Sequence, residues 1–414
     1  MNVARMRLVD RWLGVPVCFA LTIFRKVFSR RRAASAPSPG RILFVKLAEQ
    51  GSTVLAQAAI QRATDKVGRA NVYFLLFGEN RPILDLLDVI PQENIVAIDA
   101  RGLFRVVWGA LRAIRQMWRL RIDAAIDLEF FARSSAALCF LSGARLRVGY
   151  HAFGSEASYR GDLMTHRLSF NPYLHTTQAF SLMVQALDSP PESFPQFNVR
   201  PEPLSSAAGR LMPSDAEVTE VRHQLQDLLG SSQIDPLILL NANASDLIPL
   251  RRWASARYVE LARRLLQQYS AVRIAFTGAP SEAAATEELV RQVNSPRCVS
   301  MAGKTTLRQL LVLCTLAEVL VSNDSGPAHF ATLTDLDVVV LFGPETPALF
   351  AAPSPRTHPL WAGLACSPCI NAFNNRVSAC MDNACMQAIT VEQVFDSVCR
   401  TYEARLAMPR QEAA

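Results

Sequence analysis

Short apolar runs rich in β-branched residues alternate with longer stretches of helical spacing along most of this chain. The first half begins the alternation at residues 41–48 (RILFVKLA), and the second half restarts it at residues 236–242 (PLILLNA). Such β-α-β-α alternation predicts a parallel sheet with helices on both faces. Each half therefore predicts a doubly wound, Rossmann-like α/β domain, whose ligands usually bind at the carboxyl ends of the strands.

The length of 414 residues also favours two domains, because one hydrophobic core rarely grows this large. A stretch rich in proline and serine, residues 188–215, is typical of a crossing between domains. We therefore expect an N-terminal segment with a linker at residues 1–40, an N-terminal domain at residues 41–200 and a C-terminal domain at residues 201–414.

The formal net charge of +7 resides in the N-terminal segment. Residues 1–40 hold eight basic residues and one acid, Asp10, so the remainder of the chain is formally neutral. A neutral globular body lacks the broad positive surface that a phosphate backbone requires. The sequence therefore predicts no nucleic-acid partner.

The N-terminal segment also carries an uncharged apolar run of thirteen residues, Trp12 to Phe24, followed by Arg25, Lys26 and Arg30 to Arg32. A bilayer-spanning helix needs roughly 20 residues, so the run is short for that role. A signal peptide, a segment inserted into the membrane and a helix that simply docks on the protein are the alternative interpretations. The positive charge after the run favours an interfacial anchor on the cytoplasmic leaflet. We expect residues 1–32 to contact the membrane surface and residues 33–40 to form a linker.

The turn Asn323–His329 (NDSGPAH) follows an apolar run and precedes a short helical one. Asn, Asp and Ser are preferred helix N-caps, Pro is favoured in the first helical turn, and glycine permits close approach of the backbone. The amide groups at such a helix start suit an anion such as a diphosphate, with the Ser325 hydroxyl and His329 ring as further donors. A well-capped helix that needs no ligand is the alternative.

The motif NDSGPAHFA (residues 323–331), followed by VVVLFGP (338–344), resembles the C-terminal signature of the family 9 glycosyltransferases, the ADP-heptose:lipopolysaccharide heptosyltransferases. The similarity runs from about Arg41 to Val394 and includes residues 41–60, 126–150 and the CSPC motif at 366–369. It implies the GT-B fold, two Rossmann-like domains with the donor held mainly by the C-terminal one. It also implies inversion at the anomeric carbon without a divalent metal or other cofactor.

The resemblance also implies roles for single residues of the C-terminal half. It places the donor's phosphates near Asp324, Ser325, Gly326 and His329, with Ser245 as a further hydroxyl donor. Arg251 takes the place of the family's usual lysine, and its planar fork can bind a phosphate through two hydrogen bonds. Gly278 and Glu282 correspond to nucleoside contacts, and Lys304 is a further cation, unless it is an ordinary solvated lysine.

The first loop of the N-terminal half departs from the family pattern. Members commonly carry Gly-Asp there, with the Asp as proposed base, whereas Gly51 is followed here by Ser52. Glu49 lies two residues before the glycine and is our candidate for the base that deprotonates the acceptor hydroxyl. A base elsewhere, such as Asp127 or Glu129, or impaired catalysis are the alternatives. Arg133 matches a basic position on the acceptor side, and surface solvation is its ordinary alternative.

Four of the nine cysteines form a cluster, Cys366, Cys369, Cys380 and Cys385. Its spacing is compatible with a four-thiolate zinc site or an iron–sulfur site, and reduced, partly buried thiols are the other interpretation. We assign the cluster no catalytic role and expect no catalytic metal.

The sequence thus predicts an inverting, metal-independent transfer of heptose from ADP-heptose to a membrane-held glycolipid such as a lipopolysaccharide core. The protein is expected in the cytoplasm, peripherally associated with the inner face of the bacterial inner membrane. A different donor or acceptor on the same scaffold, or a sugar-nucleotide-binding protein with impaired catalysis, are the alternatives.

Overall fold

The computed structural model describes Leu8 and residues 10–28, 38–154, 156–204, 211–244 and 248–407. Ser245 and parts of the predicted anchor therefore lie outside the described residues. By their internal contacts the residues form two compact units. Unit 1 comprises Met1–Ala207 with Ile370–Ser378, and unit 2 comprises Ala208–Cys369 with Ala379–Ala414. The segment Ile370–Ser378, which the sequence division assigns to the C-terminal domain, thus packs within unit 1.

Unit 1 is built on a parallel six-stranded sheet of order β3-β2-β1-β4-β5-β6. Its strands are β1 (Ile42–Val45), β2 (Val72–Phe77), β3 (Ile95–Ile98), β4 (Ala124–Asp127), β5 (Leu146–Tyr150) and β6 (His166–Leu168). Its helices are α1 (Gly14–Phe28), α2 (Gln50–Leu55), α3 (Gln57–Val67), α4 (Arg81–Leu87), α5 (Leu103–Leu120), α6 (Arg133–Leu141) and α7 (Thr176–Gln185).

Unit 2 repeats this plan with a parallel six-stranded sheet of order β12-β11-β10-β7-β8-β9. Its strands are β7 (Leu237–Asn241), β8 (Arg273–Phe276), β9 (Cys298–Ser300), β10 (Val319–Asn323), β11 (Asp337–Phe342) and β12 (Thr357–Trp361). Its helices are α8 (Asp215–Leu229), α9 (Ser255–Gln268), α10 (Ala283–Val293), α11 (Leu307–Thr315), α12 (Gly326–Ala331), α13 (Pro347–Phe350), α14 (Ala384–Gln387) and α15 (Val391–Ala407).

The prediction of two Rossmann-like domains from strand–helix alternation is therefore confirmed. The central strands β1, β4, β7 and β10 are buried along their whole length. Both faces of these strands are covered, so their sequences are mainly apolar and do not alternate between apolar and polar residues. Local signals start several helices: α8 follows a capping box of Ser214 and Glu217, and α11 follows one of Thr306 and Gln309. In both sheets the loops after parallel strands collect at the carboxyl edge.

Helix α1 lies in unit 1 and packs against α6. The Cys18 thiol lies 3.7 Å from the Arg133 carbonyl, the Asp162 amide donates to the Thr22 hydroxyl at 2.9 Å, and Arg25 forms an ion pair with Asp162. A Cβ on Gly161 would lie 2.7 Å from the Cys18 carbonyl oxygen, so only glycine fits where this residue packs against α1. Within the described part of the chain, no helix is both long and apolar enough to cross a bilayer.

Candidate active site

The carboxyl edge of the unit 2 sheet gathers the loops that follow β7 and β10. The Asn323 side-chain amide donates to the carbonyls of Ala242 at 3.2 Å and Asn243 at 3.1 Å. The Trp253 amide in turn donates to the Asn323 side-chain oxygen at 3.0 Å. Asn323 therefore fixes the β10 loop to the β7 loop, and it brings Asp324 and the following residues to the segment that holds Arg251.

Arg251 lies between two buried carboxylates. Its guanidinium donates to the Asp324 carbonyl at 3.1 Å, and its Nε lies 3.4 Å from Asp324 Oδ2. Its NH2 forms an ion pair with Glu345, which follows β11. Asp324 is 2 % exposed and Glu345 is 1 % exposed. Sequence reasoning missed Glu345, although an acid directly after a buried strand, in GPETP, was a usable signal.

The residues that start α12 complete this group. The Ser325 hydroxyl makes no capping bond to the helix and lies 3.3 Å from the Ser322 hydroxyl. His329 Nε2 lies 3.9 Å from Asp324 Oδ1. A Cβ on Gly326 would lie 2.9 Å from Cζ of the Phe330 ring, so packing of this ring requires the glycine whether or not a ligand approaches. The predicted residues of the Asn323–His329 motif are thus brought together with Arg251.

Gly278, Glu282 and Lys304 lie near one another beyond the ends of β8 and β9. The Ala279 amide donates to Glu282 Oε2 at 2.7 Å, and the Gly303 amide donates to the Gly278 carbonyl at 2.9 Å. A Cβ on Gly278 would lie 2.7 Å from the side-chain amide nitrogen of Asn243. The turn at Gly278 therefore packs closely against the loop that follows β7. Lys304 Nζ donates to the Ser300 carbonyl at 2.9 Å and lies 3.4 Å from Glu287 Oε1.

In unit 1, Glu49 occupies the turn between β1 and α2. Its φ of 71° places a non-glycine residue in the left-handed region, where strain is tolerated mainly at functional sites. The Ser52 hydroxyl donates to Glu49 Oε2 at 3.1 Å, and Lys46 Nζ lies 3.6 Å from the same oxygen. The turn therefore places a carboxylate beside Ser52, the position at which the sequence lacks the expected Asp.

A second cation reaches Glu49 from the segment Ile370–Ser378, where Arg376 forms an ion pair with its carboxylate. Phe373 of this segment packs against Phe131 and Phe170, with ring centroids 6.2 Å and 5.2 Å apart. Sequence reasoning missed Arg376, because nothing in the pattern around it points to a loop more than three hundred residues earlier.

The two alternative bases are engaged in other contacts. Glu129 accepts hydrogen bonds from the amides of Leu47 at 2.8 Å and Ala48 at 3.1 Å, and from Lys46 Nζ at 2.9 Å. Asp127 is fully buried, forms an ion pair with Arg160 and accepts a bond from the Ser135 hydroxyl at 2.9 Å.

Burial raises the pKa of the Asp127 carboxyl, and the Arg160 guanidinium opposes that shift. Both carboxylates are thus held by partners within unit 1, as Glu49 is by Lys46 and Arg376.

Arg133 lies at the start of α6, where the Asp10 carboxylate contacts it. The amides of Arg133 and Ser134 donate to Asp10 Oδ1 at 3.1 Å and 2.8 Å, and Arg133 Nε donates to the Tyr159 carbonyl at 2.8 Å. Arg133 NH1 lies 3.5 Å from Asp10 Oδ2, and the residue is only 9 % exposed. The predicted acceptor-side arginine therefore binds an anion in this structure, a carboxylate of the chain itself.

None of the nine cysteines forms a disulfide, and burial raises the pKa of the Cys385 thiol. Cys366 is exposed, whereas Cys369 and Cys380 are half-buried. Among the residues that the structure describes, no group of three or more His, Cys, Asp or Glu side chains is arranged to hold a metal ion.

Comparison with known proteins gives consistent results. The family model for glycosyltransferase family 9 (heptosyltransferase) matches residues 110–377. Lipopolysaccharide heptosyltransferase 2 of Salmonella typhimurium is 32% identical over 102 residues, which is 24% of this chain and 29% of that protein. Lipooligosaccharide heptosyltransferase 2 of Haemophilus ducreyi is 24% identical over 314 residues, 74% of this chain and 84% of that protein.

Among solved structures, the Escherichia coli ADP-heptose lipopolysaccharide heptosyltransferase II superimposes with a TM-score of 0.65 at 18% identity. The match covers 89% of this chain and 100% of that one. At this identity the likeness establishes the fold, two Rossmann-like domains of the GT-B type.

Proposed function

Because the chain belongs to glycosyltransferase family 9, the heptosyltransferase family, we propose that it transfers heptose from ADP-heptose to a membrane-held glycolipid such as a lipopolysaccharide core. The reaction is inverting and needs no metal in this proposal. The names of the relatives support the donor and the acceptor class, since they refer to ADP-heptose and to lipopolysaccharide or lipooligosaccharide.

The group formed by Arg251 and the Asn323–His329 loop carries the proposal on the donor side. A guanidinium and a set of amide and hydroxyl donors at the carboxyl edge of a parallel sheet suit a nucleoside diphosphate. Asp324 and Glu345 hold the guanidinium in place from two sides. Arg251 thus offers a positioned guanidinium donor to the diphosphate, and Ser325 and His329 supply further hydrogen-bond donors beside it.

Glu49 is the base in this proposal. Its carboxylate takes the proton of the acceptor hydroxyl while the hydroxyl oxygen forms a bond to the anomeric carbon. The bond from that carbon to the phosphate oxygen breaks, and ADP leaves with the bonding electron pair. Attack from the face opposite to the leaving group inverts the anomeric configuration. The hydrogen bond from Ser52 orients the Glu49 carboxylate.

A lipid-linked acceptor requires access to a membrane surface. The apolar α1 helix, with Arg25 and Lys26 in its last turn, supports peripheral association of residues 1–32 with the inner face of the inner membrane, in the cytoplasm. In this proposal Arg133 lies on the acceptor side. Its guanidinium pairs with the Asp10 carboxylate in the absence of acceptor, and an anionic group of the acceptor takes the place of that carboxylate on binding.

The test uses the purified full-length protein with ADP-heptose and a heptose-deficient lipopolysaccharide acceptor. ADP release and the mass of the product measure transfer, and the anomeric configuration is read by NMR. Glu49→Gln should lower kcat by about a hundredfold or more, and the matched variant of an exposed acid in unit 1, Glu93→Gln, should leave it unchanged.

Transfer that survives Glu49→Gln unaltered contradicts the assignment of the base. Loss of transfer on metal chelation contradicts metal independence. ADP-heptose binding without product under any condition supports the alternative of a sugar-nucleotide-binding protein. Thermal stabilisation by another nucleotide sugar and none by ADP-heptose contradicts the donor.

A further inference from the structure

Helix α1 presents its apolar side chains away from the protein. Only Cys18 and Thr22 are buried, and Gly14, Leu21 and Arg25 are half-buried beside them. The side chains that point outward are large and apolar, and they are more than half exposed in most cases: Phe19 58%, Ile23 48%, Phe24 54%, Val27 67% and Phe28 68%, with Trp12 at 72% just before the helix. An ordinary surface helix has the opposite polarity, with its apolar stripe against the core.

Helix α5 repeats this arrangement on part of its surface. Ala113 and Met117 face the core. On the outside, Phe104 is 82% exposed, Trp108 66%, Leu111 55% and Trp118 61%, and their spacing of four, three and seven residues places them on one stripe. Membrane association predicted from the sequence rests on residues 1–32 and does not account for this second apolar stripe.

Arginines accompany the apolar stripe of α5. Arg105, Arg112 and Arg119 recur every seven residues, which places them on one side of the stripe, and Arg115 lies within it. Arg105 lies 3.0 Å from Asp99 of the preceding loop, whereas Arg112, Arg115 and Arg119 are exposed. Neither α5 nor α1 contains an acidic residue. The charge of both helices is therefore complementary to an anionic surface.

The two helices belong to the same layer of unit 1. Both pack against α6, and Cys18 of α1 shares a core cluster with Ala113 and Met117 of α5. Their outward stripes therefore flank α6 on one side of the sheet. Rows of exposed aromatic side chains with basic residues beside them are typical of interaction sites rather than of ordinary solvated surface.

We propose that the outward stripes of α1 and α5 form a single docking surface for a bilayer that contains anionic phospholipid. The aromatic and aliphatic side chains enter the boundary between headgroups and acyl chains, and the arginines contact lipid phosphates. Two helices on either side of α6 fix the orientation of unit 1 on the membrane, which a single N-terminal anchor leaves undetermined. The proposal rests on these surfaces alone and holds whichever sugar is transferred.

The test is co-sedimentation of the full-length protein with vesicles of phosphatidylcholine, alone or mixed equally with phosphatidylglycerol. We expect the wild type to bind the mixed vesicles strongly and the neutral ones weakly. Phe104→Ser/Trp108→Ser in α5 and Phe19→Ser/Phe24→Ser in α1 should each lower binding to mixed vesicles about tenfold or more. The matched control, Met212→Ser/Met381→Ser, removes exposed apolar residues of unit 2 and should bind as the wild type.

Two further measurements guard against misfolding of these variants. Arg112→Glu/Arg119→Glu keeps the apolar stripe and should lose the preference for phosphatidylglycerol. Brominated lipids should quench the fluorescence of the wild type more than that of Trp12→Phe/Trp108→Phe/Trp118→Phe, which removes the three exposed tryptophans of the proposed surface. Wild-type binding by the α5 variants, or quenching that is independent of these three tryptophans, overturns the proposal. A wild type that self-associates through Phe104 and Trp108 without binding vesicles also overturns it, because the occupant is then a second copy of the chain.

Discussion

The loops of unit 2 that carry Arg251 and Asp324 and the first loop of unit 1 both lie at the carboxyl edge of a parallel sheet, but their charged residues are held differently. In unit 2, Arg251 is enclosed by Asp324 and Glu345, both almost fully buried. In unit 1, a carboxylate takes the central place, with Lys46 and Arg376 as its cations, and Glu49 has a left-handed backbone. One site is built around a positive charge and the other around a negative one.

This difference corresponds to the two tasks of the proposed reaction. A diphosphate needs a cation held still before it arrives, and an acceptor hydroxyl needs a carboxylate that can take its proton. The first site keeps a cation where the family pattern has one, with Arg251 in place of the usual lysine, whereas the second has Ser52 in place of the expected Asp and a carboxylate three residues earlier, at Glu49. Four variants test how far the two sites differ.

The largest effect is expected for Arg251→Met. This change leaves the buried carboxylates of Asp324 and Glu345 without their guanidinium, so stability should fall by about 3–5 kcal/mol, and ADP binding should be lost. Adding Glu345→Gln should recover part of the stability but not the binding. Urea unfolding and calorimetric titration with ADP measure the two quantities. Unchanged stability would show that the carboxylates do not depend on Arg251.

Arg376→Met should affect transfer without affecting the donor. The ion pair orients the Glu49 carboxylate, so its loss should lower kcat about tenfold while the Kd for ADP-heptose stays the same. Arg376→Lys should restore part of the rate. Arg81→Met, which removes a half-buried arginine that lies 3.2 Å from Asp85 of the same helix, serves as the control. A raised Kd with normal kcat would place Arg376 on the donor instead.

Gly326→Ala distinguishes packing from ligand approach in the unit 2 motif. The new methyl group would meet the Phe330 ring at 2.9 Å, so we expect a loss of about 1–3 kcal/mol of stability. The double variant Gly326→Ala/Phe330→Leu should regain stability. If the double variant also regains ADP binding, the glycine is needed only for packing of the Phe330 ring. If binding stays lost, the donor approaches the backbone at Gly326.

The smallest effect is expected for Lys304→Met. Its ammonium group contacts Ser300 and Glu287 and is partly exposed, so stability should change by less than about 0.5 kcal/mol. We expect ADP affinity to change by less than about threefold on the same grounds. A loss of a hundredfold in calorimetric titration would contradict this and would place Lys304 at the phosphates.

The sequence predicted the fold well because strand and helix periodicity is a local signal. The apolar runs at β1 and β7 mark buried parallel strands before any tertiary contact is known, and so they predict the two sheets. The gathering of Asp324, Ser325 and His329 was predictable for the same reason, since they follow one strand within a few residues.

What the sequence did not predict depends on contacts between distant residues. Glu345 meets Arg251 because β11 lies beside β10, and Arg376 meets Glu49 because a late segment returns to unit 1. Asp10 meets Arg133 only when α1 packs on α6. Strand order and the return of a segment are set by tertiary packing, and a single sequence carries no local trace of them.

The return of Ile370–Ser378 to unit 1 has a consequence for protein engineering. A gene fragment that ends at Ala207 would encode unit 1 without Phe373 and Arg376, so its aromatic cluster and Glu49 would both lose a partner. Chimeras of related enzymes that are joined at a single point would combine the Glu49 loop of one parent with residues 370–378 of the other. An exchange of the whole of unit 1 between such parents therefore requires two recombination sites, so that this nine-residue segment travels with the first half of the gene.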